Sequence, residues 1–89
     1  MIKLKREERL KLNLLKLGEI AKLAGVLPWT IRYYANLGLL NVSNYTEGKY
    51  RLFMKDETLG KMIKIKGLKD KGFTLGEIKK VVTKINLRG

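Results

Sequence analysis

The sequence predicts a mostly α-helical domain with the winged helix-turn-helix architecture: four helices and a short β-hairpin wing. Three observations carry this prediction. Two short helical stretches meet at Gly25, and Pro28 opens the second while Gly38 closes it. A strand–turn–strand pattern follows directly. Beyond it, apolar residues recur at helical spacing at Leu59, Met62, Ile65 and Leu68, then at Leu75, Ile78, Val81, Val82 and Ile85. Two helices joined by a tight glycine turn form a helix-turn-helix, and a hairpin after it forms a wing.

Each element has a local reason. Residues 1–9 are mostly charged and are expected to fray. Leu10, Leu12 and Leu14 alternate with Lys11 and Asn13, which predicts a short strand, although Leu10, Leu14 and Leu17 also share a helix face. Residues 18–24 read as the first helix, with Ile20, Leu23 and Ala24 inward and Glu19 and Lys22 outward. The second helix starts at Pro28, which has no amide to leave unpaired at a first helical position. It ends at Gly38, a natural left-handed terminator. Residues 39–42 read as a strand and 43–48 as a turn. Residues 49–53 form the returning strand, with Tyr50 and Leu52 on one face and Arg51 and Phe53 on the other. A third helix spans 56–71, weakened by Gly60 and Gly67 by about 1 kcal/mol each relative to alanine, and Gly72 ends it. The fourth begins at Thr74, where Glu77 three residues on completes a capping box.

Composition narrows the function. A chain of 89 residues can bury one modest core. It has no cysteine and no histidine, so disulfides, thiolate or imidazole metal sites and most nucleophile–base pairs are excluded. Eight acidic residues are scattered among twenty basic ones without a paired-carboxylate arrangement. The reading is therefore not an enzyme, with no cofactor. No apolar stretch approaches the roughly 20 residues a bilayer span requires, and no export signal is evident. The expected setting is the cytoplasm, with no membrane partner. A net charge of +12 and a pI near 10.1 suit a polyanionic partner, or a lysine-rich surface that only maintains solubility.

The second helix carries the most informative residues. At 3.6 residues per turn, Ile31, Tyr34, Ala35 and Gly38 fall on one face, and Trp29, Arg32, Tyr33 and Asn36 on the other. The first face suits packing, with Tyr34 in the core. The second presents a cation, two aromatics and an amide. Arginine can pair bidentately with guanine or grip phosphate, and tyrosine can reach phosphate or rest on a sugar. Trp29 fits core packing equally well. Thr30, at the start of this helix, joins the candidates. No acidic residue occurs between Glu19 and Glu47, so no carboxylate on this helix repels phosphate. The wing adds Tyr45, Lys49, Tyr50 and Arg51, whose cations are placed to act on the backbone. Lys71, in the turn after the third helix, is either a further backbone contact or a solvated helix end favoured by the dipole.

Taken together, these residues resemble the MerR family of bacterial transcription regulators. The matching text is Leu17-Gly18-Glu19-Ile20-Ala21-Lys22, Gly25-Val26, Thr30-Ile31-Arg32-Tyr33-Tyr34 and Gly38-Leu39-Leu40. It continues as Tyr50-Arg51-Leu52-Phe53, Ile65, Leu68-Lys69, Gly72-Phe73-Thr74-Leu75 and Glu77-Ile78. The resemblance implies a winged-helix domain that binds double-stranded DNA, with Arg32 and Tyr33 on the recognition helix and Tyr50 and Arg51 in the wing. It also implies dimers on a near-palindromic promoter site, which distort the duplex and so act indirectly on RNA polymerase.

The chain departs from the family pattern at Leu27, where a capping serine is usual, and at Ala35, where an acidic residue is usual. Lys49 stands between Gly48 and Tyr50, and the stretch from Phe53 to Gly72 is slightly long. The organisation read from this is a basic extension (1–16), a winged-helix domain (17–83) and the start of a dimerisation helix (84–89). The chain is then an excised domain or a minimal member, homodimeric in a full-length form and monomeric or weakly dimeric as it stands. The competing readings are an excisionase-like or segregation protein that bends DNA, and an RNA-binding protein, which leaves the helix-turn-helix and hairpin unexplained.

Overall fold

The computed structural model describes residues 3, 4, 6–46 and 48–88, with side chains over 7–46 and 48–82. Its elements run β1 (Lys3–Leu4), α1 (Arg6–Lys11), β2 (Leu14–Lys16), α2 (Leu17–Ala24), α3 (Pro28–Asn36), β3 (Asn44–Thr46), β4 (Arg51–Met54), α4 (Lys55–Asp70) and α5 (Leu75–Arg88). The chain folds as a winged helix-turn-helix, with α2 and α3 as its two helices and β3 and β4 as its wing. One small sheet in the order β1-β3-β4-β2 carries the wing hairpin in its middle.

The helix-turn-helix forms where the sequence placed it. Gly25 (φ 71°) and Gly38 (φ 83°) both take the left-handed conformation. After α3, the Leu39 amide donates to the Tyr34 carbonyl at 2.9 Å and the Gly38 amide to Ala35 at 3.1 Å. These paired bonds satisfy carbonyls the helix leaves open. They also turn Leu39 and Leu40 straight into the core, where both are buried. A side chain at a left-handed position is strained by roughly 1–2 kcal/mol. A Cβ at Gly38 would otherwise meet only Lys79, at an ordinary 3.5 Å. Gly38→Ala is therefore expected to lower the melting temperature by roughly 5–15 °C, at about 4–8 °C per kcal/mol for a domain of this size. An unchanged thermal unfolding curve would count against the strained turn.

The core is assembled from α2, α3, α4, α5 and β4. Ile20, Ile31, Phe53 and Ile78 are fully buried at its centre, with Tyr34, Met62, Ile65 and Val82 around them. Each such apolar side chain contributes about 1.5–3 kcal/mol on burial. The capping box before α5 is present: the Thr74 amide donates to Glu77 Oε1 at 2.9 Å, and the Glu77 amide to Thr74 Oγ1 at 3.2 Å. Hydrogen bonds from the Thr74 amide and hydroxyl hold the exposed Glu77 carboxyl below its ordinary range. Among the described residues no helix is long and apolar enough to cross a membrane.

Five expectations require correction. Residues 6–11 form a helix and do not fray, because Arg9 is buried and bonded (described below). Leu10 and Leu12 are 44% and 57% exposed, and the strand starts only at Leu14, after Asn13 turns the chain with a φ of 57°. Leu23 is exposed and Ala21 takes its place inside, since Leu17, Ile20, Ala21 and Ala24 make up the inward row of α2. Residues 39–42 form no strand, only a bend at 39–40, and the first wing strand is Asn44–Thr46. The second wing strand runs Arg51–Met54 and so starts two residues later than the sequence reading of 49–53. Leu52 packs with Leu14 on one side while Phe53 enters the main core on the other, both at 0% exposure. The apolar position expected at Ile85 lies outside the residues whose side chains are described.

The sheet joins the N-terminal segment to the wing. Strand β1 runs parallel to β3, with Lys3 opposite Tyr45. Strand β2 runs antiparallel to β4, with Lys16 opposite Leu52. A two-stranded hairpin is marginal by itself, and further strands give it support.

Candidate nucleic-acid interface

Burial sorts the residues of α3 as the helical wheel required. Ile31 and Tyr34 are buried, whereas Trp29, Arg32, Tyr33 and Asn36 are exposed. Trp29 is 57% and Tyr33 43% exposed, so the core-packing reading of Trp29 does not hold. The Tyr33 ring stands 6.1 Å from both the Trp29 and Tyr34 rings, tilted against each. That packing holds a row of aromatic surface in place along the helix. Thr30 is half-buried and lies on the flank. It lines a separate, largely apolar cavity of about 570 Å³ between α2, α3 and α4, together with Leu23, Met62 and Ile63.

The wing turn is built by Thr46. Its carbonyl accepts the Lys49 amide at 2.9 Å, its amide donates to the Tyr50 carbonyl at 2.9 Å, and its hydroxyl oxygen accepts the Tyr50 amide at 3.1 Å. Lys49 takes a left-handed φ of 65° at the tip. Tyr50 is consequently thrown out to 64% exposure. Arg51 and Tyr45 sit opposite each other, half-buried, on the two strands.

A groove of about 440 Å³ joins the two regions. It is lined by Lys16, Leu17, Gly18, Pro28, Arg32, Lys49, Tyr50 and Arg51. The structure therefore brings Arg32, Lys49, Tyr50 and Arg51 together at the foot of α3, beside the exposed Trp29–Tyr33 row. Lys71, exposed at the end of α4, is not part of this lining.

Sequence reasoning missed Lys16. Its signal was only its place before the first helix. It is exposed, and its ammonium lies 5.5 Å from the centre of the Tyr50 ring, a cation–π geometry.

Among the described residues the groove lining holds four cations and no carboxylate. The nearest acid in sequence, Glu19, is engaged elsewhere. Arg9 Nη1 donates to its Oε1 at 2.7 Å and Arg9 Nη2 to its Oε2 at 3.4 Å, while the Lys16 amide donates to Oε1 at 2.7 Å. Partial burial raises the Glu19 pKa, but the Arg9 hydrogen bond, the Lys16 amide and the charges of Arg9 and Lys16 outweigh it and hold the carboxyl below its ordinary value. Arg9 itself is 4% exposed and also donates to the Leu14 carbonyl at 3.3 Å. Chemically, the surface can hold closely spaced anions in the groove and offer arginine, amide and aromatic groups to a flat or edged partner. Among the described residues no group of three or more potential metal-ligating side chains occurs.

Comparison with known proteins gives the same picture. Residues 15–85 match the family model described as MerR HTH family regulatory protein. The mercuric resistance operon regulatory protein of Bacillus cereus is 40% identical over 67 residues, covering 75% of this chain and 50% of that protein. The HTH-type transcriptional regulator ZntR of Escherichia coli (strain K12) is 34% identical over 68 residues, covering 76% of this chain and 48% of that protein. The chain thus spans about half the length of these two relatives. Among solved structures, a transcriptional regulator of the MerR family from Bacillus cereus superposes with a TM-score of 0.67 at 36% identity, covering 84% of this chain and 60% of that one. HiNmlR, described as a MerR family regulator lacking the sensor domain and bound to promoter DNA, superposes with a TM-score of 0.68 at 26% identity, covering 79% and 55% respectively.

Proposed function

The chain belongs to the MerR helix-turn-helix family of regulatory proteins, and from that premise we propose that it regulates transcription by binding a specific site on double-stranded DNA. In this reading α3 enters the major groove, whose width of about 12 Å admits a helix. Arg32, Tyr33, Trp29 and Asn36 face the bases and sugars, Thr30 flanks them, and Tyr45, Lys49, Tyr50 and Arg51 hold the backbone. Lys71 is a peripheral contact. The observation that carries the reading is the convergence of Arg32, Lys49 and Arg51 on one groove beside the exposed face of α3. The likeness to a family regulator described as bound to promoter DNA supports it.

The action on RNA polymerase is indirect, through distortion of the promoter between two half-sites, and takes place in the cytoplasm. Each half-site takes one domain. Two such domains held together gain affinity through effective concentration.

The test is a salt titration. Affinity for duplex DNA should fall steeply as salt rises, because phosphate binding releases counterions. Arg51→Ala should weaken binding to every duplex by a similar factor and flatten the slope of log affinity against log salt by about one unit. A binding constant nearly flat from low to moderate salt would sink the proposal. Preference for structured RNA in direct competition would transfer it to a different nucleic acid.

A further inference from the structure

We propose that the segment ahead of the helix-turn-helix is a third element of the DNA interface, with Lys16 as its phosphate contact; this rests on the DNA-binding reading above. The segment is built into the domain. Strand β1 covers one edge of the wing hairpin and β2 the other. Helix α1 is tied to α2 by the buried Arg9 through Glu19, and the turn after α1 is tied to the start of α4 by the Lys55 amide, which donates to the Asn13 carbonyl at 2.9 Å. Lys16 ends this segment, its backbone fixed twice, by pairing opposite Leu52 and by the Glu19 carboxylate on its amide.

The side chain has the environment a phosphate contact needs. Among the described residues its ammonium forms no ion pair, and it is poised over the Tyr50 ring. It lines the same groove as Arg32, Lys49 and Arg51. Four like charges around one groove repel one another, and an anion placed between them relieves that repulsion. Leu17 and Gly18, in the same lining, belong to the first turn of α2. Its dipole adds to the positive potential there. The occupant is a phosphate of the duplex backbone, read without regard to base sequence, bridging recognition helix and wing.

The experiment titrates the wild-type chain, Lys16→Gln, Lys16→Arg and Arg51→Ala against a selected duplex and a scrambled one at several salt concentrations. Melting curves are recorded alongside. Lys16→Gln is expected to weaken both duplexes by roughly five- to tenfold near 0.1 M salt and to lower the salt slope by about one unit. The ratio between the two duplexes and the melting temperature should stay put, since the side chain is exposed. Lys16→Arg should retain the slope. If Lys16→Gln matches wild type while Arg51→Ala loses affinity and slope, the Lys16 proposal is overturned and the DNA reading stands. If Lys16→Arg loses as much slope as Lys16→Gln, the contribution is not one of charge and the proposal likewise falls. If neither Arg51→Ala nor Lys16→Gln alters the slope, the DNA reading itself has failed.

Discussion

Glu19→Ala is expected to destabilise the domain by about 2–3 kcal/mol, more than Arg9→Met, although Arg9 is the buried partner. The asymmetry follows from which group is stranded. Removing the Glu19 carboxylate leaves a guanidinium at 4% exposure with, among the described residues, only the Leu14 carbonyl at 3.3 Å, and the Lys16 amide loses its acceptor. Breaking a fully buried pair typically costs about 3–5 kcal/mol. The Glu19 side chain is 42% exposed, which brings the figure down. Arg9→Met instead keeps the apolar stem packed and leaves a carboxylate that reaches water and still accepts the Lys16 amide, so about 1–2 kcal/mol is expected.

The pH dependence of the pair has a definite sign. The Glu19 pKa is depressed in the folded state. Its stabilisation is therefore present above the unfolded carboxyl value of about 4.3 and is lost as pH falls through the lower folded value. Glu77 is depressed as well, so the quantity to follow is the difference in melting temperature between wild type and Glu19→Gln. It should be largest near neutral pH and shrink below about pH 4. A difference that grows on acidification, or an Arg9→Met variant less stable than Glu19→Ala, would contradict the account.

The same pair explains what the sequence could and could not disclose. The helix-turn-helix was legible because its signals are local: proline at the start of α3, glycine after α2 and α3, and one apolar face at helical period. The capping box of α5 was legible for the same reason, being four residues of hydrogen bonding between Thr74 and Glu77. Helix α1 was not legible, because what holds it is a contact ten residues away, Arg9 to Glu19. A charged segment without that partner reads as solvated chain. Leu10 and Leu12 added a false strand period, and the consecutive burial of Leu39 and Leu40 imitated a short buried strand. In the interface, the face of α3 was readable from its period. The groove was not, since it brings Lys16 and Gly18 against Lys49 and Arg51, more than thirty residues away in sequence, through the pairing of β2 with β4.

Replacing Arg32 or Tyr33 with alanine is expected to separate base reading from backbone holding. Both are exposed on the face of α3 that carries Trp29 and Asn36. Both are also candidates for base contact, whereas Arg51, half-buried in the wing, is proposed to hold phosphate. If a side chain reads a base edge, its loss costs roughly 1–3 kcal/mol on the preferred site, about five- to 150-fold in affinity, and much less on scrambled DNA. At least one of the pair should behave this way. Arg32 lies at the junction of groove and helix face, so it can also hold phosphate, in which case its replacement weakens both duplexes and lowers the salt slope instead. Tyr33 has no charge to release counterions, so a loss at Tyr33→Ala that is confined to the preferred site points directly to base or sugar contact. Neither substitution should lower the melting temperature much, since Ile31 and Tyr34 carry the packing on the opposite side. The measurement is a titration of wild type and both variants against the two duplexes, with thermal unfolding recorded in parallel. Should both variants melt early while the ratio of affinities between the duplexes stays at the wild-type value, the exposed face of α3 is not the reading surface, and the assignment of Arg32 and Tyr33 fails even though the family membership stands.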